Sequence, residues 1–358
     1  MLDKETIVEK KRLGIGAVTM ITVITVILLI AGIITVMRMV GKASLSVTVS
    51  GTESMKLGEE ARNLGENEIL YKGGGYALNE DLVTVLVMGI DKETVTEVGG
   101  QSFTAQEDGY AGGQADALFL LLINPHDKNV YVIAINRNAM AEVDVFDGEG
   151  NYQGIFTKQI ALQHGYGDGK EESCLRQVKA VSRMFHGIPI HAYAAISMDA
   201  IPELNDVVGG VTVEVLDDII YPEYNMDLHQ GEMVTLYGET AYWYVRLRNE
   251  NIFNSNELRL QRQKQYLTTF AAEAKKQAVT DIRVAVELYQ TVRKYMVTDI
   301  DLNTFTYMAT EYLGYDFDRE NMYSLPGEAV QGNNFEEFYV DDEALQELII
   351  ELFYEPVE

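Results

Sequence analysis

The chain has 358 residues, with 28 Lys and Arg, 55 Asp and Glu, and a single cysteine. A formal net charge of −27 repels the phosphate backbone of nucleic acids, so we expect no nucleic acid partner. One cysteine, Cys174, excludes an intramolecular disulfide.

Residues 13–37 carry no charged side chain and predict a transmembrane helix. A helix of that length rises about 37 Å, enough to cross a hydrocarbon core of about 30 Å. The competing interpretations are a cleaved signal peptide, whose apolar region is usually shorter, and a buried core helix. Lys4, Lys10, Lys11 and Arg12 precede the segment, whereas only Arg38 and Lys42 follow it closely. This bias predicts a single-pass cell membrane protein with residues 1–12 in the cytoplasm and the C-terminal part outside.

Residues 43–81 predict a stalk or linker between this helix and a folded domain. An alternating stretch at residues 44–49 indicates a strand, and a polar stretch at residues 55–63 indicates a helix. Three consecutive glycines at residues 73–75 indicate a flexible joint.

Residues 82–355 predict a single α/β or α+β domain, because strand and helix patterns interleave without internal repeats. Largely apolar runs are typical of buried strands and occur at residues 82–90, 117–123 and 130–135. Residues 92–113 form a long loop that is either mobile or part of a site. Further strands are predicted at residues 211–215, 322–325 and 335–340, and helices at residues 170–185, 198–208, 258–277, 281–295, 304–313 and 342–353.

Basic residues are scarce, yet five of them fall within residues 246–264: Arg246, Arg248, Arg259, Arg262 and Lys264. The guanidinium fork of arginine pairs bidentately with phosphate oxygens and stays charged when water is removed. Arg246 and Arg248 share a face if the backbone is extended, and helical spacing stacks Arg259 on both Arg262 and Gln263. The alternative is that these arginines neutralise acidic neighbours on the surface.

Two aspartates stand at the ends of predicted strands, where a charged side chain is costly unless it has a function. Asp91 ends the first core strand and Asp116 directly precedes the second. Carboxylates beside a long loop are plausible ligands for Mg²⁺, although turn-forming or capping roles explain them as well. Arg137 follows the strand at residues 130–135 and could join the same rim.

The order of these motifs resembles the LytR-CpsA-Psr family of Gram-positive cell-envelope proteins. The segments that carry the resemblance are residues 87–91 (VMGID), 114–117 (QADA), 135–138 (INRN), 186–190 (HGIPI), 208–213 (VGGVTV), 241–248 (AYWYVRLR) and 259–264 (RLQRQK). Their joint order behind one N-terminal apolar helix is specific, although no single segment is decisive.

The resemblance implies a mixed central sheet flanked by helices, with an apolar pocket for a lipid tail. It implies a phosphotransferase that moves a glycopolymer from an undecaprenyl-pyrophosphate carrier to peptidoglycan. Asp91 and Asp116 would serve a Mg²⁺ ion and the pyrophosphate. The phosphates would be held by Arg137, Arg246, Arg248, Arg259, Arg262 and Gln263, and the first three of these would also act in catalysis.

Two positions depart from the family pattern. Gln114 stands where the family usually has an arginine, and Asn138 stands where it usually has an aspartate. The departures leave room for a non-catalytic envelope module that binds lipid-linked polymer without transferring it. A transcriptional attenuator is the other alternative, but the twelve residues before Leu13 are too few for a DNA-binding fold.

Overall fold

The computed structural model describes residues 15–49, 62–63, 67–91, 97–98, 101–102, 112–147, 149–249, 252–317, 319–332 and 335–357. Within these ranges, no helix combines the length and the hydropathy that a membrane span requires. The transmembrane helix expected at residues 13–37 therefore stays a prediction.

The helices are α1 (Ile15–Leu45), α2 (Leu162–Gly165), α3 (Glu171–Met184), α4 (Ile201–Val207), α5 (Gly238–Arg246), α6 (Ser255–Thr280), α7 (Ile282–Val292), α8 (Leu302–Tyr312) and α9 (Asp342–Phe353). The last three begin at aspartate N-caps, because Asp281, Asp301 and Asp341 each accept a hydrogen bond from a backbone N–H of the first turn.

The strands run from the N-terminal hairpin to the C-terminus. They are β1 (Arg62–Asn63), β2 (Glu68–Tyr71), β3 (Gly74–Leu78), β4 (Val83–Asp91), β5 (Glu97–Val98), β6 (Gln101–Ser102), β7 (Gln114–Asn124), β8 (Asn129–Ile135), β9 (Met140–Phe146), β10 (Tyr152–Gln159), β11 (Ala192–Ser197), β12 (Val211–Glu214), β13 (Ile219–Tyr221), β14 (Met226–Leu228), β15 (Met233–Leu236), β16 (Met296–Thr298), β17 (Met322–Ser324), β18 (Gly327–Gln331), β19 (Glu336–Val340) and β20 (Tyr354–Pro356).

A six-stranded mixed sheet forms the centre, in the order β16-β11-β4-β7-β8-β17. β4, β7 and β8 pair antiparallel, whereas β11 lies parallel to β4 and β17 lies parallel to β8. The predicted mixed sheet flanked by helices is therefore confirmed. Its three central strands are the apolar runs predicted from the sequence.

Alternate side chains of the central strands enter two different layers. On one face, Leu86, Met88, Leu118 and Leu120 pack with residues of α3 and α9 in a core where these four are fully buried. The opposite face packs against α6 and α8, and it is less completely covered. Burial on both faces explains why β4 and β7 read as continuous apolar runs rather than as alternating ones.

The linker predicted at residues 43–81 contains paired strands. β2 and β3 form a hairpin, and β3 also pairs with β20 at the C-terminus. The flexible joint predicted at residues 73–75 is wrong: Lys72 and Gly73 adopt positive φ angles in the hairpin turn, and the strand resumes at Gly74. The strand predicted at residues 44–49 is also wrong, since α1 continues to Leu45. The helix predicted at residues 55–63 falls mostly outside the described residues, and Arg62 and Asn63 are extended.

The later elements that the sequence patterns predicted match their predictions within a few residues. The patterns did not predict α2, α5, the β9–β10 hairpin, β13–β15, β18 and β20, nor β11 and β16, which form one edge of the central sheet. The loop predicted at residues 92–113 lies largely outside the described residues. Its described part includes the short pair β5–β6.

Candidate functional site

Asp91 and Asp116 lie on neighbouring antiparallel strands at one end of the central sheet. Asp91 is the last residue of β4 and stands opposite Gln114, the first residue of β7. A β-bulge between Gly89 and Ile90 leaves Asp116 as the extra residue of β7, and Arg137 contacts both Asp116 and Gln114. Strand pairing therefore brings two carboxylates of distant sequence position to one edge.

Each carboxylate is paired with arginine. Arg246 Nη2 donates to Asp91 Oδ2 at 2.7 Å. Arg137 Nη2 lies 3.1 Å from Asp116 Oδ1, and Arg259 Nη1 lies 3.9 Å from Asp116 Oδ2. The cluster thus alternates negative and positive groups, and its arginines come from the ends of β8 and α5 and from the first turns of α6.

Secondary contacts fix the arginines in place. Gln114 Oε1 accepts a hydrogen bond from Arg137 Nη2, and the Tyr242 hydroxyl accepts one from Arg246 Nη1. The Arg246 guanidinium also lies 5.2 Å from the centre of the Tyr242 ring. Guanidinium groups held in this way need little reorganisation to meet an anion.

Arg259 is the most deeply buried member of the cluster, with 4% of its surface exposed. It donates to Asn256 Oδ1 at 2.6 Å, one turn earlier on α6. Burial lowers the pKa of Arg259 to about 9; the Asp116 carboxylate opposes this shift, whereas the charges of Arg137, Arg248 and Arg262 reinforce it. An added anion would relieve this concentration of positive charge.

Two buried donors beside Asp116 have no hydrogen-bond acceptor among the described residues: Asn136 Nδ2 and Arg137 Nε. Asn136 is 2% exposed, and its Oδ1 accepts from Asn256 Nδ2 at 2.6 Å. Buried donors without acceptors are costly and rare in proteins. Their position next to three arginines indicates a site that an oxygen-rich anion would complete.

Arg262 and Gln263 follow Arg259 on α6 but contact the end of α5. Arg262 is 2% exposed; it donates to the carbonyl oxygens of Tyr244 and Leu247, and its Nε lies 3.2 Å from Asp217 Oδ1. Gln263 donates to the Val245 carbonyl at 3.1 Å. Both residues hold the last turn of α5 and the residue after it against α6. The phosphate contacts that the resemblance implied for them stay a prediction.

Arg248 lies two residues beyond the end of α5, and it is partly exposed. Leu247 has extended backbone angles, φ −63° and ψ 138°, whereas Arg246 still belongs to the helix. An extended backbone is required for Arg246 and Arg248 to share a face. In the structure the extended segment begins only after Arg246. Arg248 is close enough to Arg259 for its charge to lower the pKa of Arg259, so it belongs to the cluster.

A partly covered apolar surface leads away from the cluster along the sheet face that packs against α6 and α8. Val87, Leu121 and Val130 line it and are only partly buried. Leu267 of α6 flanks it on one side and Met308 of α8 on the other. The sheet thus carries the charged cluster at one end and a partly covered apolar face along its length.

Related proteins identify the family of this chain. The sequence model of the LytR_cpsA_psr family matches residues 45–353. The chain belongs to the LytR-CpsA-Psr family. It is similar to TagU of Halalkalibacterium halodurans, a polyisoprenyl-teichoic acid–peptidoglycan teichoic acid transferase, with 24% identity over 258 residues that cover 71% of this chain and 73% of that protein.

Solved structures show the same fold. The crystal structure of Bacillus subtilis TagV has a TM-score of 0.55 and 22% identity, and the match covers 75% of this chain and 96% of that chain. A structure of TagT bound to LI-WTA has a TM-score of 0.53 and 19% identity, covering 85% and 94%. At these identities the likeness concerns the fold alone.

The two departures from the LytR-CpsA-Psr pattern both have partners here. Gln114 holds Arg137, as described above. Asn138 is 4% exposed; its Nδ2 donates to Glu336 Oε1 at 3.1 Å, and its Oδ1 accepts from Gln159 Nε2 at 3.1 Å. Since Glu336 already supplies a carboxylate at this point, an amide at position 138 avoids placing two acids in contact.

The described residues contain no group of three or more His, Cys, Asp or Glu side chains that could hold a metal ion. Asp91 and Asp116 nevertheless fit the protein's share of a Mg²⁺ site, which commonly consists of one or two carboxylates completed by water and phosphate oxygens. Both carboxylates are paired with arginine, so a bound cation would compete with the guanidinium groups for the same oxygens.

Several polar residues of the site were missed from the sequence: Asn136, Asn256, Tyr242 and Glu336. Asn136 and Asn256 each stand within three residues of a predicted arginine. A polar side chain so close to a predicted site residue is the sequence signal by which they could have been found. Glu336 could not be found in this way, because it reaches the site from β19, a strand outside the central sheet.

Proposed function

We propose that this LytR-CpsA-Psr protein is a membrane-anchored, extracytoplasmic phosphotransferase that attaches a glycopolymer from an undecaprenyl-pyrophosphate carrier to peptidoglycan. The observation that carries the proposal is the cluster of Arg137, Arg246 and Arg259 around two carboxylates, with two buried donors unsatisfied beside it. The related TagU is named as a transferase of polyisoprenyl-linked teichoic acid to peptidoglycan, and TagT binds LI-WTA.

The pyrophosphate would enter by exchange of partners. Its oxygens would take the guanidinium groups of Arg137 and Arg246 from Asp116 and Asp91, and they would accept from the unsatisfied Arg137 Nε and Asn136 Nδ2. Charge-assisted hydrogen bonds of this kind are short and strong. Arg248 and Arg259 would add positive potential without needing direct contact.

In the transfer, a sugar hydroxyl of peptidoglycan attacks the phosphorus that carries the glycopolymer. The new oxygen–phosphorus bond forms as the bond to the bridging oxygen breaks, and the lipid monophosphate leaves with the bonding electrons. The hydroxyl proton goes to a basic oxygen in the site. Negative charge grows on the leaving phosphate during this step. Preorganised arginines stabilise that charge as it develops.

Mg²⁺ is part of the proposal as a cofactor held by Asp91 and Asp116. Once the arginines turn to the phosphates, the two carboxylates would lie near a dianion. A divalent cation would supply positive charge at that point. The donor set, two carboxylates with room for phosphate oxygens, supports Mg²⁺ over a metal that prefers nitrogen or sulfur ligands.

The apolar surface lined by Val87, Leu121 and Val130 would take the first part of the polyprenyl chain. The N-terminal apolar segment at residues 13–37 would anchor the protein where that lipid resides, with residues 1–12 inside the cell. Anchoring restricts both enzyme and substrate to the same bilayer, so their encounter needs no extraction of the lipid.

The experiment is a transfer assay with purified full-length protein in vesicles, lipid-linked polymer and peptidoglycan. Covalent transfer of polymer that is lost in Arg246→Ala supports the proposal. Tight binding of the lipid-linked polymer without any transfer would favour the non-catalytic envelope module. The departures at Gln114 and Asn138 are the reason to keep that second candidate in view.

A further inference from the structure

α1 and α8 form a close joint at the N-terminal side of the domain. Gly41 of α1 faces the backbone of Asn303 and Thr304, and a Cβ at position 41 would overlap the carbonyl oxygen of Asn303. Leu45, at the end of α1, is 4% exposed and packs with Val83 and Ile123 of the sheet. The helix therefore enters the folded domain directly, without a flexible segment before Leu45.

The two helices run in opposite directions. Gly41 lies beside the start of α8, whereas Arg38, three residues earlier on α1, binds Glu311 near the end of α8 with Nη2 2.6 Å from Oε2. The C-terminal end of α8 therefore points toward the N-terminal part of α1. Since α1 is helical from Ile15 through Arg38 and beyond, the position of the bilayer along α1 also determines the position of the end of α8.

The end of α8 has the composition of a membrane interface. Residues 312–315 (YLGY) carry no charge, Leu313 is 52% exposed, and the ring centres of Tyr312 and Tyr315 are 5.2 Å apart. Tyrosines concentrate at the level of lipid headgroups, where one end of the ring is wet and the other apolar. Asp316 follows, with its carboxylate 3.7 Å from Lys275 Nζ, which limits insertion to the interfacial layer.

We propose that the turn after α8, residues 312–315, is a second membrane contact that rests in the outer headgroup layer of the bilayer. The inference depends on the proposed anchor: if the span ends at Met37, then Arg38 and its partner Glu311 lie at the outer interface. The occupant of this surface is the lipid bilayer. The contact fixes the orientation of the domain, so that the sheet face lined by Val87, Leu121 and Val130 keeps a constant position relative to the membrane.

The test measures depth at both ends of α8 in the full-length protein in vesicles of phosphatidylcholine and phosphatidylglycerol. Leu313→Cys and Leu302→Cys each receive an environment-sensitive fluorophore. The two leucines are 52% and 56% exposed, and their separation of 11 positions corresponds to about 16 Å of helix. Cys174 is fully buried, and burial raises the pKa of its thiol to about 12, so it does not compete for the label.

Lipids that carry a quencher in the headgroup region should remove most of the fluorescence at position 313 and leave that at position 302 largely intact. Equal quenching at both positions would overturn the inference. Retention of the protein on vesicles after a high-salt wash is measured separately; its loss would refute the anchor, and the second contact with it. Neither result depends on transferase activity, so failure of the second contact can be distinguished from failure of the anchor and of the proposed transfer.

Gly41→Leu tests whether the helix joint sets this contact. A side chain at position 41 forces α1 away from Asn303. Quenching at position 313 should then fall while the protein stays on the vesicles. Unchanged quenching in Gly41→Leu would show that the joint does not set the position of the turn after α8.

Discussion

Arg246 Nη2 lies 2.7 Å from Asp91 Oδ2, although the two residues are 155 positions apart in the chain. The pair joins the end of the strand β4 to the end of the helix α5. It also holds in advance the guanidinium that would meet the substrate, since a phosphate has only to replace the carboxylate as acceptor.

Arg246→Ala and Arg248→Ala should each lower the rate of polymer transfer more than they lower stability. Loss of one preorganised donor at a developing charge costs about 10²–10³ in rate. The measurement is single-turnover transfer, with thermal unfolding of each variant beside it. Arg283→Ala is the matched control, because Arg283 is 88% exposed and pairs only locally with Asp281. Equal transfer by Arg246→Ala and the parent would refute the assignment.

Mg²⁺ and lipid pyrophosphate should strengthen each other's binding, because each supplies what the other needs at Asp91 and Asp116. Gln114→Arg should raise affinity for the headgroup most when Mg²⁺ is scarce, since a further cation then faces the phosphates. Calorimetric titration of the headgroup with and without Mg²⁺, in the parent, Gln114→Arg and Asp116→Ala, measures this. Identical affinities with and without Mg²⁺ in the parent would exclude a metal site at the two aspartates.

Gln114→Arg should also destabilise the protein moderately. The substitution replaces the Gln114 Oε1 acceptor of Arg137 with a second guanidinium. Gln114→Leu separates the two effects, because it removes the acceptor without adding charge. We expect Gln114→Leu to weaken headgroup binding at every Mg²⁺ concentration.

Asn138→Asp should destabilise the fold by about 1–3 kcal/mol, because it turns a buried hydrogen bond to Glu336 into contact between two carboxylates. The double variant Asn138→Asp with Glu336→Gln should recover most of the loss. Urea unfolding of the four proteins gives the coupling between the two sites. Additive effects in that cycle would show that the two side chains do not interact.

Arg262→Ala should lower the free energy of unfolding by about 3–5 kcal/mol, since it leaves Asp217 and two carbonyl oxygens without their buried partner. Arg246→Ala, at a more exposed position, should cost much less. Denaturant unfolding compares the two variants. Similar stability of both, with loss of headgroup binding in Arg262→Ala, would support the predicted role of Arg262 in substrate binding.

His191 should make the protein less stable in acid. Its Nδ1 accepts from the Thr84 backbone N–H at 3.1 Å, and burial lowers its pKa to about 4, below the value near 6.5 in an unfolded chain. The unfolded state then binds the extra proton, so stability is complete above pH 6.5 and falls as the pH drops toward 4. Unfolding at pH 7.5 and pH 5 should show a larger decrease for the parent than for His191→Gln. Equal decreases would contradict this prediction.

The sequence located the central strands because β4, β7 and β8 are buried on both faces, and such strands are apolar throughout. It located Asp91, Asp116 and Arg137 because charged residues at the ends of apolar runs are conspicuous. It missed α5, the β9–β10 hairpin and the central-sheet strands β11 and β16, and it assigned a flexible joint to glycines that form a hairpin turn. In those segments the periodic pattern is weak, and contacts with distant strands decide the structure.

Within residues 246–264, the sequence determined which arginines are present but not which groups they contact. Arg259 and Arg262 are three residues apart on one helix, and local spacing treats them alike. In the folded protein Arg259 faces Asp116 at the sheet edge, whereas Arg262 is fixed by one carbonyl oxygen in the last turn of α5 and one directly after it. Which carboxylate or carbonyl lies within hydrogen-bond distance depends on how β7 and α5 pack against α6, because hydrogen bonds and ion pairs act over a few ångströms that only tertiary contacts set.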